Sequence, residues 1–546
     1  MRLHPLLFAS LIAVGGASQG ADEFIYTVQP GDHPWNIAQR YLRDTSDALK
    51  LTRLNRIAND RTVAPGTELR IPAQWLKLEA AAVRLLASSG DATVTRADGS
   101  QHAAKAGETV RAGARVLTGD GASATLVFDD GSRVMLRQGS ELRVLRSDKR
   151  TVDGGFLVTL ELVRGGLENM VTPRPRNNNR FEIRSPAAVA AVRGTSFRVN
   201  ADPGTTWTEV LEGAVDVSNT AGGVLAQAGF GTVARTGQAP DAPQALLPAP
   251  DLSVLPARLE RLPIDWPLTP VPGAVAYRTQ LAPDAAFQTV LSDELTKPAR
   301  ARVLDIADSS YVIRVMAIDA NGLEGLPAER SVLVYARPFA PSLISPPPGG
   351  ETILSRPVFS WTQVDPALHY KFELRRTDDP STPPVFVQIS RNADPMTLDM
   401  DLTPGVYHWR VASIVPATGR QGPWGDLQSF RYLLPSPAVE PAQIASGQVT
   451  VRWPALPNAQ AYDFQLTRDP DFAQPQREAR VTTTQHRFAE LESGSYRLRL
   501  RSISQDGFAG PWGQAQIFVV PEPEKPEPAH WKKLLLVLPA LLFLGL

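Results

Sequence analysis

The chain has 546 residues, enough for several domains, and its 56 basic residues balance its 56 acidic residues. Nothing in this net charge indicates nucleic-acid binding, and the lack of cysteine excludes disulfides, thiol nucleophiles and thiolate metal sites. A chain without thiols suits an oxidising compartment. The 48 prolines and 40 glycines are typical of short strands joined by turns, so we expect a mainly β, multidomain protein. From the balanced charge we expect no nucleic-acid partner.

The first residues have the pattern of an export signal. Arg2 supplies a positive charge, Leu6–Val14 form a short apolar core, and small residues follow over Gly15–Ala21. This pattern predicts a secretory signal peptide over residues 1–21 and therefore an exported protein. The alternative is a buried N-terminal helix.

The next segment alternates between strand and helix patterns. Alternation over 24–29 predicts a strand, helical spacing over 33–42 and 44–54 predicts two helices, and residues 67–71 predict a closing strand. Asp32 is expected to cap the first helix. The sequence predicts a small β-α-α-β module over residues 24–73.

Four motifs in this module resemble the LysM family. They are Tyr26-Thr27-Val28-Gln29-Pro30-Gly31-Asp32, Trp35-Asn36-Ile37-Ala38, Leu54-Asn55, and Pro65-Gly66-Thr67-Glu68-Leu69-Arg70-Ile71-Pro72. The resemblance implies a shallow groove that binds the N-acetylglucosamine-containing glycan of peptidoglycan. The implied glycan-binding residues are Gly31, Asp32, His33 and Pro34 on one side and Leu54, Asn55, Arg56 and Ile57 on the other. The family usually has threonine-leucine where this chain has His33-Pro34. The alternative is that Gly31, Asp32 and Asn55 serve only turns and caps.

From residue 83 the pattern has a period of two. We expect a short helical connector over 73–82 and then an all-β roll or sandwich over 83–236, with a hairpin turn at Asp130-Gly131. We interpret Asp129-Asp130 as part of that turn rather than as an acid–base pair.

This second module resembles the FecR family domain. The residues that carry the likeness include Gly107–Ala114, Phe128–Ser132, Val192–Val199 and Leu211–Val217. The resemblance implies a periplasmic β domain that contacts another protein or ligand. The family's namesakes carry a sigma-factor-binding segment and a membrane helix ahead of this domain. This chain has a predicted signal peptide there, so the family's signal relay is not expected to carry over.

Basic residues cluster at Arg174, Arg176 and Arg180. They indicate either a patch for an acidic partner or a solvated loop that protects a strand edge. The seven histidines have no metal-ligand spacing, and motifs for nucleophilic or phosphate chemistry are missing. We therefore expect no metal, no cofactor and no enzymatic activity.

The second half of the chain is repetitive. After a proline-rich linker over 237–257, Trp266, Trp361 and Trp453 recur about 93 residues apart, each followed by two tyrosines that open strand-like runs. The repeat predicts three tandem seven-stranded β-sandwiches with core tryptophans, over residues 258–337, 338–435 and 436–520, which resemble fibronectin type III domains. Trp424 and Trp512 are either sugar-stacking or packing residues.

The C-terminal residues combine a proline–glutamate spacer (521–530) with an apolar tail (531–546). The tail predicts a membrane anchor, although it is shorter than the about 20 residues of a full span, and a shallow insertion is the alternative. Taken together, the sequence predicts an exported, non-enzymatic cell-envelope scaffold that binds peptidoglycan and contacts an unknown envelope protein. The alternatives are a periplasmic sensor of envelope signal transduction and a peptidoglycan-processing hydrolase or its accessory.

Overall fold

The computed structural model describes residues 23–173, 179–192, 194–366, 368–445 and 448–522. The chain is mainly β and divides into two compact units, one ending at Tyr335 and the other beginning at Ala336. The predicted signal peptide, Arg174, Arg176, the apolar tail and nearly all of the spacer lie outside the described residues. Within the described part of the chain, no helix combines the length and the apolar character that crossing a membrane requires.

The first module folds in the order that its sequence predicts. Its elements are β1 (Glu23–Thr27), α1 (Pro34–Tyr41), α2 (Asp47–Leu54) and β2 (Glu68–Pro72). The two strands pair antiparallel, and each helix places its apolar face on the same small core. That core consists of Tyr26, Val28, Ile37, Ala38, Leu42, Ala48, Leu51, Leu69, Ile71 and Leu76.

The connector over 73–82 is not the helix that we expected. After one 3-10 turn (Ala73–Trp75) the chain enters a strand, β3 (Leu78–Ala80). The strand is favoured because β3 pairs with β11 (Glu141–Arg150) of the next module, which supplies backbone partners that an isolated helix turn lacks.

The second module is a two-sheet β structure. Its further strands are β4 (Val83–Ser89), β5 (Ala92–Thr95), β6 (Gln101–Ala103), β7 (Thr109–Val110), β8 (Arg115–Thr118), β9 (Ser123–Phe128), β10 (Arg133–Leu136), β12 (Phe156–Met170), β13 (Arg180–Arg184), β14 (Val189–Val192), β15 (Ser196–Ala201), β16 (Thr205–Glu212), β17 (Ala214–Asn219), β18 (Gly222–Gln227), β19 (Phe230–Arg235) and β20 (Gln244–Ala245). The inward side chains of both sheets form one apolar core.

The long strand β12 joins the two sheets. Its first half pairs with β11 and β13, and its second half pairs with β10 and β15. At the change-over Gly165 has a φ of +90°, and a Cβ there would lie 2.5 Å from the Cα of Ser140. Only glycine fits this bend, which explains its place inside a strand.

A tight turn follows β9, as the sequence predicts. The N–H of Gly131 donates to the carbonyl of Phe128, and the Asp130 carboxylate accepts hydrogen bonds from the N–H and the hydroxyl of Ser132. Asp130 therefore shapes the hairpin.

The first two modules are joined by direct packing. β3 pairs with β11, and Val152, in the turn between β11 and β12, packs against the core of the first module. The N–H of Lys77 also donates to the carbonyl of Tyr41, 2.7 Å away. These contacts fix the orientation of the first module on the second.

The segment expected as a linker, residues 237–257, connects two modules but is packed along its length. It contains β20, which pairs with β19, and three buried leucines, Leu246, Leu252 and Leu255. The N–H of Leu326, in the third module, donates to the carbonyl of Leu247 over 2.8 Å. Because its backbone and side chains have partners, this segment holds the second and third modules together.

Buried charges also join the second module to the third. Arg137 binds the Glu324 carboxylate with two hydrogen bonds of 2.7 and 2.8 Å, and both side chains are almost fully buried. Arg314 binds Glu168, and Arg198 donates to the carbonyls of Glu324 and Gly325. Each charge has an opposite partner, which is what makes the burial of so many ions tolerable.

The third, fourth and fifth modules are β-sandwiches. The first sandwich contains β21 (Arg258–Leu259), β22 (Ile264–Pro267), β23 (Ala274–Ala282), β24 (Ser292–Thr296), β25 (Arg300–Val303), β26 (Ser309–Asp319) and β27 (Ala328–Val334). The second contains β28 (Leu343–Ser345), β29 (Gly350–Thr352), β30 (Val358–Trp361), β31 (His369–Arg375), β32 (Phe386–Ser390), β33 (Met396–Thr397), β34 (Gly405–Val415), β35 (Arg420–Trp424) and β36 (Gln428–Tyr432). The third sandwich contains β37 (Gln443–Ala445), β38 (Gln448–Arg452), β39 (Ala459–Thr467), β40 (Arg477–Val481), β41 (Gln485–Phe488), β42 (Gly494–Ser504) and β43 (Gln516–Val520).

The repeated tyrosines have repeated hydrogen bonds. The hydroxyl of the second tyrosine in each copy donates to the carbonyl four residues upstream, over 2.8–3.0 Å. These tyrosines are Tyr311, Tyr407 and Tyr496. Such a tyrosine corner is a hallmark of immunoglobulin-type sandwiches.

The repeated tryptophans are less uniform than predicted. Trp361 and Trp453 are core residues with 3% of their surface exposed, whereas Trp266 is 37% exposed. The sheet of Trp266 has only two strands, where the sheets of the other two have three, so less protein covers it.

Trp424 and Trp512, in the second and third sandwiches, are covered by arginine side chains. Arg410 lies over Trp424 with 4.3 Å to the ring centroid, and Arg499 and Arg501 lie over Trp512 at 4.8 and 4.5 Å. This packing favours a structural role over sugar stacking.

Candidate functional site

The loop between β1 and α1 contains the first set of predicted glycan-binding residues. Gly31 turns the chain with a φ of +87°, and the buried carboxylate of Asp32 accepts hydrogen bonds from the Tyr26 hydroxyl, the Gln29 N–H and Arg40. Burial would raise the pKa of Asp32, but these donors outweigh it and hold that pKa below its ordinary value. Asp32 therefore ties the loop to β1 and α1.

The prediction that Asp32 caps α1 is wrong, because His33 holds that position. The ring of His33 accepts a hydrogen bond from the N–H of Asn36, and the Asn36 side chain accepts one from the N–H of His33 over 2.8 Å. Pro34 is the first helical residue, where its missing N–H costs no hydrogen bond, and it is buried. The departure at His33-Pro34 is therefore compatible with a well-formed loop.

The second predicted segment follows α2. The Asn55 amide donates to the carbonyls of Leu51 and Arg70 over 3.0 and 2.8 Å and accepts from the N–H of Arg70 over 2.6 Å. Arg56 is exposed and has a φ of +52°, and Ile57 packs against the module's core. Asn55 thus closes the outer edge of β2.

The two predicted glycan-binding segments lie in the same module, and each contains both exposed residues and residues engaged within the protein. Asp32, Pro34 and Asn55 are engaged in packing and hydrogen bonds that build the loops. Gly31, Leu54 and Arg56 are exposed, and His33 is half-buried. The carbonyl of Gly31 accepts a hydrogen bond from the Asn36 side chain. An acetamido sugar needs polar partners together with an apolar contact for its methyl group, and Leu54 and Arg56 are the exposed side chains that could supply them.

α1 also carries an exposed aromatic residue that its helical spacing does not reveal. Trp35 has 42% of its surface exposed. The inward face of α1 consists of Pro34, Ile37 and Ala38, which places residue 35 on the outside of the helix.

The basic cluster of the second module is represented by Arg180 alone, since Arg174 and Arg176 lie outside the described residues. Arg180 forms an ion pair with Glu182, which also lies 3.5 Å from Arg184. Within the described ranges, no three His, Asp or Glu side chains are grouped so that they could hold a metal ion.

Comparisons with known proteins agree with this architecture. A model described as LysM domain matches residues 26–72, and one described as FecR protein matches residues 114–216. A comparison with curated proteins gives no match.

Similar solved structures cover different parts of the chain. A putative anti-sigma factor from Parabacteroides distasonis ATCC 8503 is 18% identical over 24% of this chain, with a TM-score of 0.20, and this chain spans only 59% of its length. The FN1–FN3 domains of chicken CNTN1 are 13% identical over 48% of this chain and 96% of theirs, with a TM-score of 0.19. The chicken interferon gamma receptor alpha chain is 13% identical over 33% of this chain and 98% of its own, with a TM-score of 0.24. The chain thus carries a LysM domain and a FecR domain, both of which are typical of cell-envelope proteins.

Proposed function

We propose that the protein is an exported, non-enzymatic scaffold of the Gram-negative cell envelope that binds peptidoglycan through its LysM domain. The LysM match over residues 26–72 carries the proposal. The FecR domain and the sandwiches then present surfaces to another envelope protein in the periplasm. A tail that inserts into a membrane would give a second anchor, and two weak anchors on one chain bind far more tightly than either alone.

The exposed groups of the two LysM loops support a glycan ligand. Gly31 and Arg56 are exposed, and Leu54 exposes 41% of its surface. We assign the glycan contacts to the exposed part of the loop at Gly31 and His33 and to Leu54, Arg56 and Ile57, whereas Asp32, Pro34 and Asn55 shape the loops. Trp35 adds an aromatic face next to the first loop.

Co-sedimentation with insoluble peptidoglycan tests this proposal. We expect the full chain to sediment and a Leu54→Asn variant to sediment several-fold less, because it loses the apolar contact with the acetamido methyl group. Leu49→Asn is the matched control, since Leu49 is a similarly exposed leucine of the same helix, at 48%. If the full chain stays in solution, the LysM domain does not act as the anchor. If both variants bind as well as the wild type, the glycan contact assigned to Leu54 is wrong.

A regulatory role in envelope signalling is a second candidate, and the FecR match over residues 114–216 favours it. It makes the FecR domain the site at which a partner is recognised. The remaining alternative, hydrolysis, is tested by incubating the protein with labelled peptidoglycan. Released fragments that disappear on changing one carboxylate would replace the scaffold proposal with an enzyme.

A further inference from the structure

A cleft of about 1230 Å³ separates the first strand of the LysM domain from the FecR domain. β1 forms one wall, and the outer face of the sheet containing β13, β14, β17 and β18 forms the other. Its volume exceeds the roughly 300–1,000 Å³ of typical small-molecule pockets. The two walls keep their spacing because β3–β11 pairing and Val152 fix the two domains together.

The wall formed by β1 is an open strand edge. Opposite residues of an antiparallel pair alternate between bonding each other and pointing their N–H and C=O groups away. Arg70 lies opposite Ile25 and gives both of its backbone groups to Asn55, so the pair does not bond across the strands. The N–H and C=O of Ile25 therefore point away from β2, towards the cleft.

The neighbouring residue of the same edge agrees with this geometry. The carbonyl of Thr27, two residues on, accepts a hydrogen bond from the side chain of Gln29, which also lines the cleft. Among the described residues, β1 pairs with β2 alone. The edge thus offers backbone donors and acceptors at the spacing of a strand.

The opposite wall presents acidic and apolar side chains in register. Glu182, Ala191, Asp216 and Leu225 are direct neighbours across β13, β14, β17 and β18. Asp216 and Leu225 are exposed, and within the described residues Asp216 forms no ion pair. Among the described residues that line the cleft, Glu23 is paired with Arg70, Asp153 with Arg150, and Glu182 with Arg180 and Arg184. Asp216 is therefore the lining carboxylate without an ion-pair partner among these residues.

We propose that this cleft binds an extended, basic peptide segment of a partner protein, which adds as a third strand to the free edge of β1. Backbone hydrogen bonds to Ile25 and to the N–H of Thr27 give affinity without regard to sequence, and side chains of alternate residues reach the far wall. The unpaired carboxylate of Asp216 selects a lysine or arginine opposite it and disfavours anionic polymers. This site is separate from the LysM loops and does not depend on glycan binding.

The test uses fluorescein-labelled peptides of about ten residues, a little longer than an average strand, in which valine alternates with lysine, glutamate or glutamine. Their binding to the full chain is measured by fluorescence anisotropy. We expect the lysine peptide to bind at least tenfold more tightly than the glutamate peptide.

Two variants examine the two walls. Ile25→Pro removes the N–H that faces the cleft, and proline is tolerated on an edge strand at such a position. Asp216→Lys reverses the charge of the far wall. Each is expected to weaken lysine-peptide binding at least tenfold, whereas Ile25→Ala, which keeps the N–H, and Asp120→Lys, at an exposed turn outside the cleft, leave it within twofold.

Peptidoglycan co-sedimentation of Ile25→Pro checks the fold of the LysM domain and separates this site from the glycan site. Lack of peptide binding by the wild type, equal affinity for the lysine and glutamate peptides, or unchanged affinity in both variants would each overturn the proposal. So would displacement of the lysine peptide from the wild type by soluble peptidoglycan fragments, because it would assign the cleft to glycan.

Discussion

Asp32 and Asn55, two of the predicted glycan-binding residues, hold neighbouring segments of the LysM domain together through hydrogen bonds. The Asp32 carboxylate binds Tyr26, Gln29 and Arg40, and the Asn55 amide bonds both backbone groups of Arg70. Polar residues next to turns serve caps and ligand sites equally well, so the residue type alone could not decide. Their hydrogen bonds favour the structural role, since donors and acceptors that a sugar would use are engaged within the protein.

We predict that Asn55→Ala destabilises the LysM domain by about 1–3 kcal/mol, because it removes two hydrogen bonds to the backbone of Arg70, each with a net worth of about 0.5–1.5 kcal/mol. Hydrogen exchange at β2 measures this effect, and protection there should fall. Asn59→Ala is the control, since Asn59 is exposed and bonds only the nearby N–H of Arg61. Equal protection in the two variants would contradict the role assigned to Asn55.

At the scale of elements, the sequence predicted structure that depends on neighbouring residues and missed packing between distant parts of the chain. The βααβ order and the tyrosine-bearing strands followed from periodicity within about ten residues. The sequence predicted a linker over residues 237–257 because its prolines and alanines have no periodicity. In the structure Leu252 and Leu255 are buried, and the N–H of Leu326 donates to the carbonyl of Leu247. Composition cannot show which distant strand covers a segment. Likewise, helical spacing could not show that Trp35 is exposed, because the burial of a residue depends on what its helix packs against.

The packed segment changes the expected proteolysis pattern. A free linker would be the first place cut, whereas we predict that residues 237–257 resist limited proteolysis in the native protein. Gly325→Ala should speed cleavage there several-fold, because a Cβ at Gly325 would lie 2.6 Å from the Leu247 carbonyl and push the segment away. Mass spectrometry of the early fragments locates the cuts.

Gly204→Ala is the matched control for that experiment, since a Cβ at Gly204 would meet no atom within 4 Å. Rapid cleavage of the wild-type protein within 237–257 would show that the segment is free in solution. Equal cleavage rates for the two alanine variants would remove the contact with Leu247 as the reason for protection.

On the scale of the whole molecule, the compact unit ending at Tyr335 contains three modules, and buried charges join the second to the third. Arg137 and Glu324 are 187 residues apart in the chain, so no sequence window contains both. Arg198 lies 3.7 Å from Glu209, and both are buried. Burial, together with the nearby Glu324 carboxylate, raises the pKa of Glu209 to about 7 even though Arg198 opposes the shift.

This shift predicts a pH dependence of stability. The folded state keeps the proton of Glu209 up to about pH 7, whereas the unfolded chain releases it near the ordinary value of 4.5. The contribution of Glu209 to stability is therefore fully present below the unfolded pKa, and it falls by roughly 3 kcal/mol as the pH rises through this window. Unfolding of the unit, followed from pH 5 to 8, measures the slope.

Glu209→Gln should remove that slope, because the amide keeps the shape and cannot ionise. Below pH 4.5 the protonation of Glu168 becomes important. Burial alone would raise the pKa of Glu168, but Arg314 and Arg137 outweigh it and lower that pKa to about 2. Both proteins should then lose stability as acid protonates Glu168. Parallel curves for wild type and variant between pH 5 and 8 would exclude Glu209 as the titrating group.

The direct packing of the LysM domain on the FecR domain also limits how the protein meets its ligands. With a flexible tether, an anchored domain would sample many directions and reach any partner within the tether's length. Here β3, β11 and Val152 hold the two domains at one angle, so a bound glycan strand sets the direction in which the cleft opens. A partner must approach along that direction, and one that binds well in solution is excluded at the cell wall if the wall blocks its path. Selectivity at the wall then comes from steric access as well as from affinity.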